Sequence, residues 1–255
     1  MRSAAAQKSL WVSDGTAAGT RQLAVLPPSP GFPGAWVKGL TAVGNRVFFG
    51  ASSSEDDEVW TSDGTPAGTH TVTHLAQASP FGALGEGFSL QASGHRAYFS
   101  VENGPGAGLW RSDGTSQGTQ QIATFPTAAA ARKSSSDGGP DFVEEVAGGR
   151  ALFRGYGGEL WVTAGNPATA APLQCGGPCP ALSSAISLHG VGQRAVFVTE
   201  FDEIWGTDGA AAGTHKLGSC TQFPCPLYQD LQTGTIKKYS NPSGRFASVG
   251  DMLAF

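Results

Sequence analysis

The chain is short of charge. Charged residues are 14% of its 255 positions, and the formal net charge is −4. There is no basic cluster, which argues against a nucleic-acid partner. No apolar run is long enough to span a membrane, and no stretch has the period of an amphipathic helix. Met1 to Lys8 (MRSAAAQK) is too short and too polar for a secretory signal, so the expectation is a cytosolic protein or a mature, trimmed form. Cysteine is scarce, with four in all. Glycine is abundant, at 37, which suits tight turns and little helix. Residues 126–140 (PTAAAARKSSSDGGP) are of low complexity and read as a surface loop.

Against this background one phrase recurs. LWVSDGTAAGT (10–20) returns as VWTSDGTPAGT (59–69), LWRSDGTSQGT (109–119) and IWGTDGAAAGT (204–214). A fifth copy, LWVTAGNPATA (160–170), lacks the Asp and the glycine spacing. The tryptophans are Trp11, Trp60, Trp110, Trp161 and Trp205. A period of about 40 to 50 residues is the mark of a repeat architecture, with propeller blades the main all-β unit of that size.

A second phrase lies between these copies. It reads LTAVGNRVFF (40–49), LQASGHRAYF (90–99), EEVAGGRALF (144–153), LHGVGQRAVF (188–197) and FASVGDMLAF (246–255). Each is a run, a Gly-x turn and a run ending in Phe, the signal of a β-hairpin. The Trp phrase is a second hairpin. Two hairpins give four antiparallel strands, a to d, and four strands make one blade. The sequence therefore predicts a single all-β domain over 1–255, a five-bladed β-propeller. Four blades cover 36–76, 87–125, 141–174 and 185–218. The fifth joins the first c–d hairpin (8–26) to the last a–b hairpin (244–255), closing the ring and hiding sheet edges.

Strand c is expected to be buried on both faces, with Leu10, Val59, Leu109, Leu160 and Ile204 on one side and the tryptophans on the other. Asp14, Asp63, Asp113 and Asp208 are structural turn residues whose carboxylates accept backbone N–H groups just ahead, while the following Gly supplies a positive φ. Arg46, Arg96, Arg150 and Arg194 follow the a–b turns and stand at the same blade end as these aspartates, which suggests a repeated Arg–Asp bridge.

The Trp phrase closely resembles the bacterial ELWxxDGTxxGT repeat family. The resemblance rests on Leu10-Trp11 with Asp14-Gly15-Thr16 and Gly19-Thr20, on Glu58 to Thr69, on Leu109 to Thr119 and on Ile204 to Thr214, with Glu159 and Glu203 keeping the leading Glu. It implies a β-propeller from a secreted or cell-surface protein and no particular reaction. The turn also resembles the Asp-box of sialidase-type propellers, which is structural.

The cysteines form two close pairs, Cys175/Cys179 and Cys220/Cys225. Local disulfides are the first reading. A four-thiolate zinc site is the alternative, requiring both loops to converge around a metal with Zn–S bonds of about 2.3 Å. Disulfides favour an oxidising compartment. Asp56, Asp57, Glu102, Glu200 and Asp202 lie in irregular loops and offer oxygen ligands for Ca²⁺, though no ligand spacing recurs and a solvated mouth is the simpler reading. Counting three residues back from the a–b turn glycine gives Thr41, Gln91, Glu145, His189 and Ala247 on the inner strands. Glu144, beside Glu145, stands among apolar counterparts (Leu40, Leu90, Leu188, Phe246), where an unpartnered carboxylate is costly. Glu144, Glu145 and His189 are thus the catalytic candidates, a glycosidase needing two carboxylates about 5 to 10 Å apart.

The function expected from the sequence is an extracellular binding or scaffolding propeller without catalytic activity, monomeric, needing no cofactor, with a glycan or protein ligand. A lectin-like propeller and a glycoside hydrolase are the alternatives. The loop aromatics Trp36, Phe81, Tyr156, Phe201, Phe223 and Tyr228 do not recur at equivalent positions, which argues against five identical sugar sites.

Overall fold

Each Gly-x step folds as a hairpin. Gly44, Gly94 and Gly192 have φ of 59°, 58° and 59°, the left-handed conformation that two-residue hairpin turns need. The computed structural model describes residues 8–27, 36–52, 57–75, 84, 88–101, 107–124, 143–155, 159–176, 185–199, 203–219, 228–230, 236–237, 247–249 and 252–254. The protein is nearly all β, with five sheets of four antiparallel strands among these residues. By contact the chain divides into two compact units, Met1–Asp141 with Asn166–Ala168, and Phe142–Gly165 with Thr169–Phe255.

The first unit begins with a two-stranded sheet, β1 (Lys8–Val12) and β2 (Arg21–Leu26). Next comes β3 (Val37–Val43), β4 (Arg46–Ser52), β5 (Asp57–Ser62) and β6 (His70–Thr71), paired in that order. The third sheet repeats the order with β7 (Leu90–Ser93), β8 (Arg96–Val101), β9 (Gly108–Ser112) and β10 (Gln120–Thr124). Strands β3 and β7 lie side by side. Phe48, Val59, Leu84, Phe99 and Val101 are buried together in one core, and Leu26, Phe49 and Ala51 in another. Each such side chain contributes about 1.5–3 kcal/mol of burial.

The second unit holds β11 (Val143–Val146), β12 (Arg150–Arg154), β13 (Leu160–Thr163) and β14 (Ala171–Pro172), then β15 (Ala185–Val191), β16 (Arg194–Thr199), β17 (Glu203–Thr207) and β18 (His215–Ser219). Both sheets pair in chain order, and β11 lies beside β15. Leu152, Leu160, Leu188, Phe197 and Trp205 share their core. The last sheet has β19 (Tyr228–Asp230), β20 (Ile236–Lys237), β21 (Ala247–Val249) and β22 (Met252–Ala254), in the order β20-β19-β22-β21.

This last sheet corrects the expected closure. The terminal a–b hairpin pairs through β22 with Tyr228–Asp230, so that both edges of β22 are taken within this sheet, and β1 pairs only with β2 among the described residues. The physical reason is loop entropy. Each doubling of a closed loop costs about 0.6 kcal/mol, so a strand a short distance upstream competes favourably with one at the other end of the chain.

Strand c also departs from expectation. Val59, Leu109, Leu160 and Ile204 are buried, but Trp60, Trp110 and Trp161 are half-buried, and Trp11 is 58% exposed. Four of the tryptophans face a Phe directly across the b–c pair: Phe49 and Trp60, Phe99 and Trp110, Phe153 and Trp161, Phe197 and Trp205. Their rings stack at 6.3 to 6.4 Å between centroids. The indole is therefore covered by its own sheet on one side, which leaves its other side partly open.

Candidate functional site

The SDGT turns repeat atom for atom. In the first, Asp14 Oδ1 accepts the Thr16 N–H at 2.9 Å and the Thr16 hydroxyl at 2.7 Å. Thr16 Oγ1 accepts the Gly19 N–H at 2.9 Å. Outside this inner knot, Ser13 and Thr20 join hydroxyls at 2.7 Å, and Ser13 Oγ takes the Gly15 N–H. The same bonds recur in 62–69 and in 112–119. The Thr hydroxyl is the largest cause holding the carboxyls of Asp14, Asp63 and Asp113 below their ordinary values. Asp208 accepts the Ala210 N–H at 2.8 Å, with Ala in place of the Thr.

The second Gly of the phrase has a steric cause. A Cβ on Gly19, Gly68, Gly118 or Gly213 would lie well inside contact distance of the Asp14, Asp63, Asp113 or Asp208 carboxylate respectively. Asp and the distant Gly are thus one device, and the copy that lost the Asp lost the Gly too. Sequence reasoning missed this, and it missed the outer hydroxyl pair. The signal was present in the Ser/Thr seven residues before the last Thr of the phrase.

The leading Glu also has a partner. Glu159 and Glu203 accept the indole N–H of Trp161 and Trp205 at 3.4 and 3.2 Å. Glu203 adds an ion pair with Lys216 at 2.6 Å, which is the main cause lowering its pKa. Glu58 instead turns inward. Buried, it accepts the Thr73 hydroxyl and, at 2.8 Å, the Leu75 N–H.

Two of the a–b arginines, Arg46 and Arg150, lie over the turn of the next sheet. Arg46 and Arg96 add only small charge contributions to Asp63 and Asp113 in their own sheets. The Arg46 side chain lies over Gly114 of the next sheet, its Cδ 2.9 Å from where a Cβ would stand, and Arg150 lies over Gly209 at 3.2 Å.

The inner strands carry a register correction. Arg46, Arg96, Arg150 and Arg194 pair across their turns with Val43, Ser93, Val146 and Val191. Two residues further from each turn stand Thr41, Gln91, Glu144 and His189, opposite Phe48, Tyr98, Leu152 and Val196. Glu144, not Glu145, therefore occupies the recurring position. The cause is the turn Ala147–Gly149, one residue longer than its counterparts, with Gly148 and Gly149 at φ 74° and 68°. The apolar place beside it is held by Val143, 4% exposed, and its counterpart Leu40 is 61% exposed. Glu144 does not break an apolar position. Successive strand residues face opposite ways, so Glu144 and Glu145 lie on opposite faces of their sheet, not as a facing pair.

Glu144 projects toward the neighbouring inner strand. Its Oε2 lies 2.5 Å from where a Cβ of Gly190 would be, beside His189, whose Nε2 is buried. Both Glu144 and His189 are half-buried overall. In the first unit the same position behaves alike, Thr41 Oγ1 donating to the Leu90 carbonyl at 3.4 Å.

Of the Ca²⁺ candidates, Asp57 is buried in β5 and accepts the Trp36 indole N–H at 2.8 Å, which turns its carboxylate to a structural task. Asp56, Glu102, Glu200 and Asp202 lie outside the described residues. Among the described residues no group of three His, Cys, Asp or Glu is placed to hold a metal ion. Cys175 is disulfide-bonded; Cys179, Cys220 and Cys225 lie outside the described residues, as do Phe81, Tyr156, Phe201 and Phe223, and of Tyr228 only the backbone is described. Of Ala247 too only the backbone is described, and Phe246 lies outside. No described helix is long and apolar enough to cross a membrane.

No family model matches the chain, and no curated protein matches it. Among solved structures it is similar to puromycin hydrolase, at 16% identity and a TM-score of 0.45, over 89% of this chain and 37% of that one. It is similar to a structure of TolB from Acinetobacter baumannii at 14% identity and TM-score 0.35, over 79% and 46%. YCF48 from Cyanidioschyzon merolae gives 12% identity and TM-score 0.36, over 74% and 57%. The chain thus spans little more than a third of the length of puromycin hydrolase. A puromycin-hydrolysing peptidase of Mycobacterium tuberculosis and prolyl endopeptidases also match. The expectation of a non-catalytic extracellular binding module is corrected here: peptidases stand among the similar structures, and neither a lectin nor a glycoside hydrolase reading finds support. At these scores the likeness gives no residue a role.

Proposed function

We propose that the inner strands of the second unit form a binding site for a cationic group of a ligand, an ammonium or guanidinium, with Glu144 as its carboxylate and His189 beside it. One observation carries this reading. The register position that holds the neutral Thr41 and Gln91 in the first unit holds Glu144 and His189 in the second. A half-buried carboxylate gives a charge-assisted hydrogen bond to a cation about twice the strength of a neutral one. The repeats surrounding the site are read as propeller blades of the ELWxxDGTxxGT kind, supported by three identically bonded SDGT turns. A secreted or cell-surface location, and the pairings Cys175–Cys179 and Cys220–Cys225, belong to the same reading.

Calorimetric titration with penta-lysine tests the site. The expected result is salt-sensitive binding that Glu144→Gln weakens about tenfold or more, while Glu145→Gln, on the other face, leaves it unchanged. Equal affinity in the Glu144→Gln protein sinks the proposal.

A further inference from the structure

Four of the recurring turns hold an Asp–Gly step: Asp14–Gly15, Asp63–Gly64, Asp113–Gly114 and Asp208–Gly209. Such a step carries its own chemical hazard. Glycine puts no side chain in the way of its amide nitrogen, so that nitrogen can attack the Cγ of a neutral aspartyl carboxyl. An N–Cγ bond forms, the amide proton and the carboxyl hydroxyl leave together as water, and a succinimide ring results. Water then adds to one of the two ring carbonyls. The ring opens to aspartate or to isoaspartate, in which the main chain runs through the side-chain carboxyl carbon.

Most of the geometry is common to the four turns. Each Gly has a positive φ, between 83° and 91°. Each Gly N–H is held by a hydroxyl, of Ser13, Ser62, Ser112 or Thr207, at 2.9 to 3.1 Å. Each Asp Oδ1 accepts the N–H two residues on, at 2.8 or 2.9 Å. The difference is a hydroxyl. Thr16, Thr65 and Thr115 give Oδ1 a second bond at 2.7 Å, and the same Thr oxygens hold the N–H of Gly19, Gly68 and Gly118. Ala210 has no hydroxyl for either bond, and Gly213 donates to the Ala210 carbonyl instead, at 3.1 Å. The Thr bond acts twice. It must break before Cγ can swing toward the Gly nitrogen. It also lowers the carboxyl pKa of Asp14, Asp63 and Asp113, which depletes the neutral form that can lose its hydroxyl as water. Asp113 is the matched comparison for Asp208, because Gly114 and Gly209 both lie beneath an arginine, Arg46 or Arg150.

We propose that the inner Thr knot guards the Asp–Gly step against succinimide formation, and that Asp208, where the knot is missing, is the position at which these turns isomerise to isoaspartate.

The test keeps the whole chain at neutral pH in heavy-oxygen water and maps isoaspartate by digestion and mass spectrometry. Each turn is read in its own peptide, and so is Asp137–Gly138, which lies outside the described residues. Isoaspartate is expected to accumulate at Asp208 about tenfold faster than at Asp113, the difference being one hydrogen bond to a charged group. Ala210→Thr is expected to slow Asp208 about tenfold, and Thr115→Ala to raise Asp113 by a similar factor. In urea, where the knots are gone, the advantage of Asp113 is expected to vanish. Its persistence there would lay the difference on neighbouring residues and overturn the proposal. Equal rates at Asp208 and Asp113 in the folded chain overturn it too, as does an Ala210→Thr protein that isomerises as fast as the wild type.

Discussion

The three SDGT turns and the turn at 163–169 solve one problem with different parts. In the SDGT turns an inner Asp–Thr knot sits inside an outer pair of hydroxyls. The turn after β13 has Ala164 in place of the Asp, and only the outer pair remains. Thr163 and Thr169 join hydroxyls at 3.1 Å, Gly165 donates its N–H to Thr163, and Ala164 donates to Thr169 at 2.9 Å. All five copies keep the outer pair, including Thr207 and Thr214 at 2.7 Å. The hydroxyl pair is thus the closure of the turn, and the carboxylate is a reinforcement that demands its own glycine.

The sharpest way to break this contrast is Gly68→Ala. A methyl group there runs into the Asp63 carboxylate, and crowding of this kind costs about 1–3 kcal/mol. If the carboxylate is the cause, adding Asp63→Ala recovers part of the loss, a coupling of at least about 0.5 kcal/mol in urea melts of the four proteins. Strict additivity would show that the two residues are independent.

Removing the outer pair should hurt the poorer turn more. Thr169→Val takes away the acceptor of the Ala164 N–H as well as the Thr163 bond, for about 1–2 kcal/mol, whereas Thr69→Val leaves the inner knot of its turn standing and costs about 1 kcal/mol. Equal losses would mean that the inner knot gives no support.

The smallest effect is on acid sensitivity. The carboxyls of Asp14, Asp63 and Asp113 titrate lower in the folded chain than in the unfolded one, so protonation favours unfolding. Their contribution is whole above the ordinary carboxylate range and disappears as the pH falls through the lowered folded values. Melting temperatures at pH 6 and pH 3 should therefore differ less in the protein carrying Asp→Asn at all three positions than in the wild type. An unchanged difference would remove the aspartates from the pH response.

The hairpins were legible because their signals are local. A Gly-x step forces its turn, and the Trp period marks the repeat, with one Trp in each of the first five of the six described sheets. Two things were not legible. The pairing of β22 with Tyr228–Asp230 depends on a competition between distant and nearby strands, and nothing in LYQD marks it as a strand c. The place of Glu144 depends on one extra residue in the turn Ala147–Gly149, which shifts every count made from the glycine. The burial of Asp57 and Glu58 was hidden for another reason: their partners, Trp36 and Thr73, lie 21 and 15 residues away in the chain, outside any motif.

The arginine that leans from one sheet onto the turn glycine of the next gives the array a direction and a unit of measure. In each unit one described hairpin reads forward, Arg46 to the turn at Gly114 and Arg150 to the turn at Gly209, and a successor supplies the flat spot only at one phase of the repeat. Gain or loss of a few residues between hairpins falls in the loops and leaves this relay alone. Gain or loss of half a repeat sets an arginine against the wrong surface. Such a chain can therefore change length during evolution most readily in whole repeats, each newcomer arriving with a hand to extend and a place to receive one.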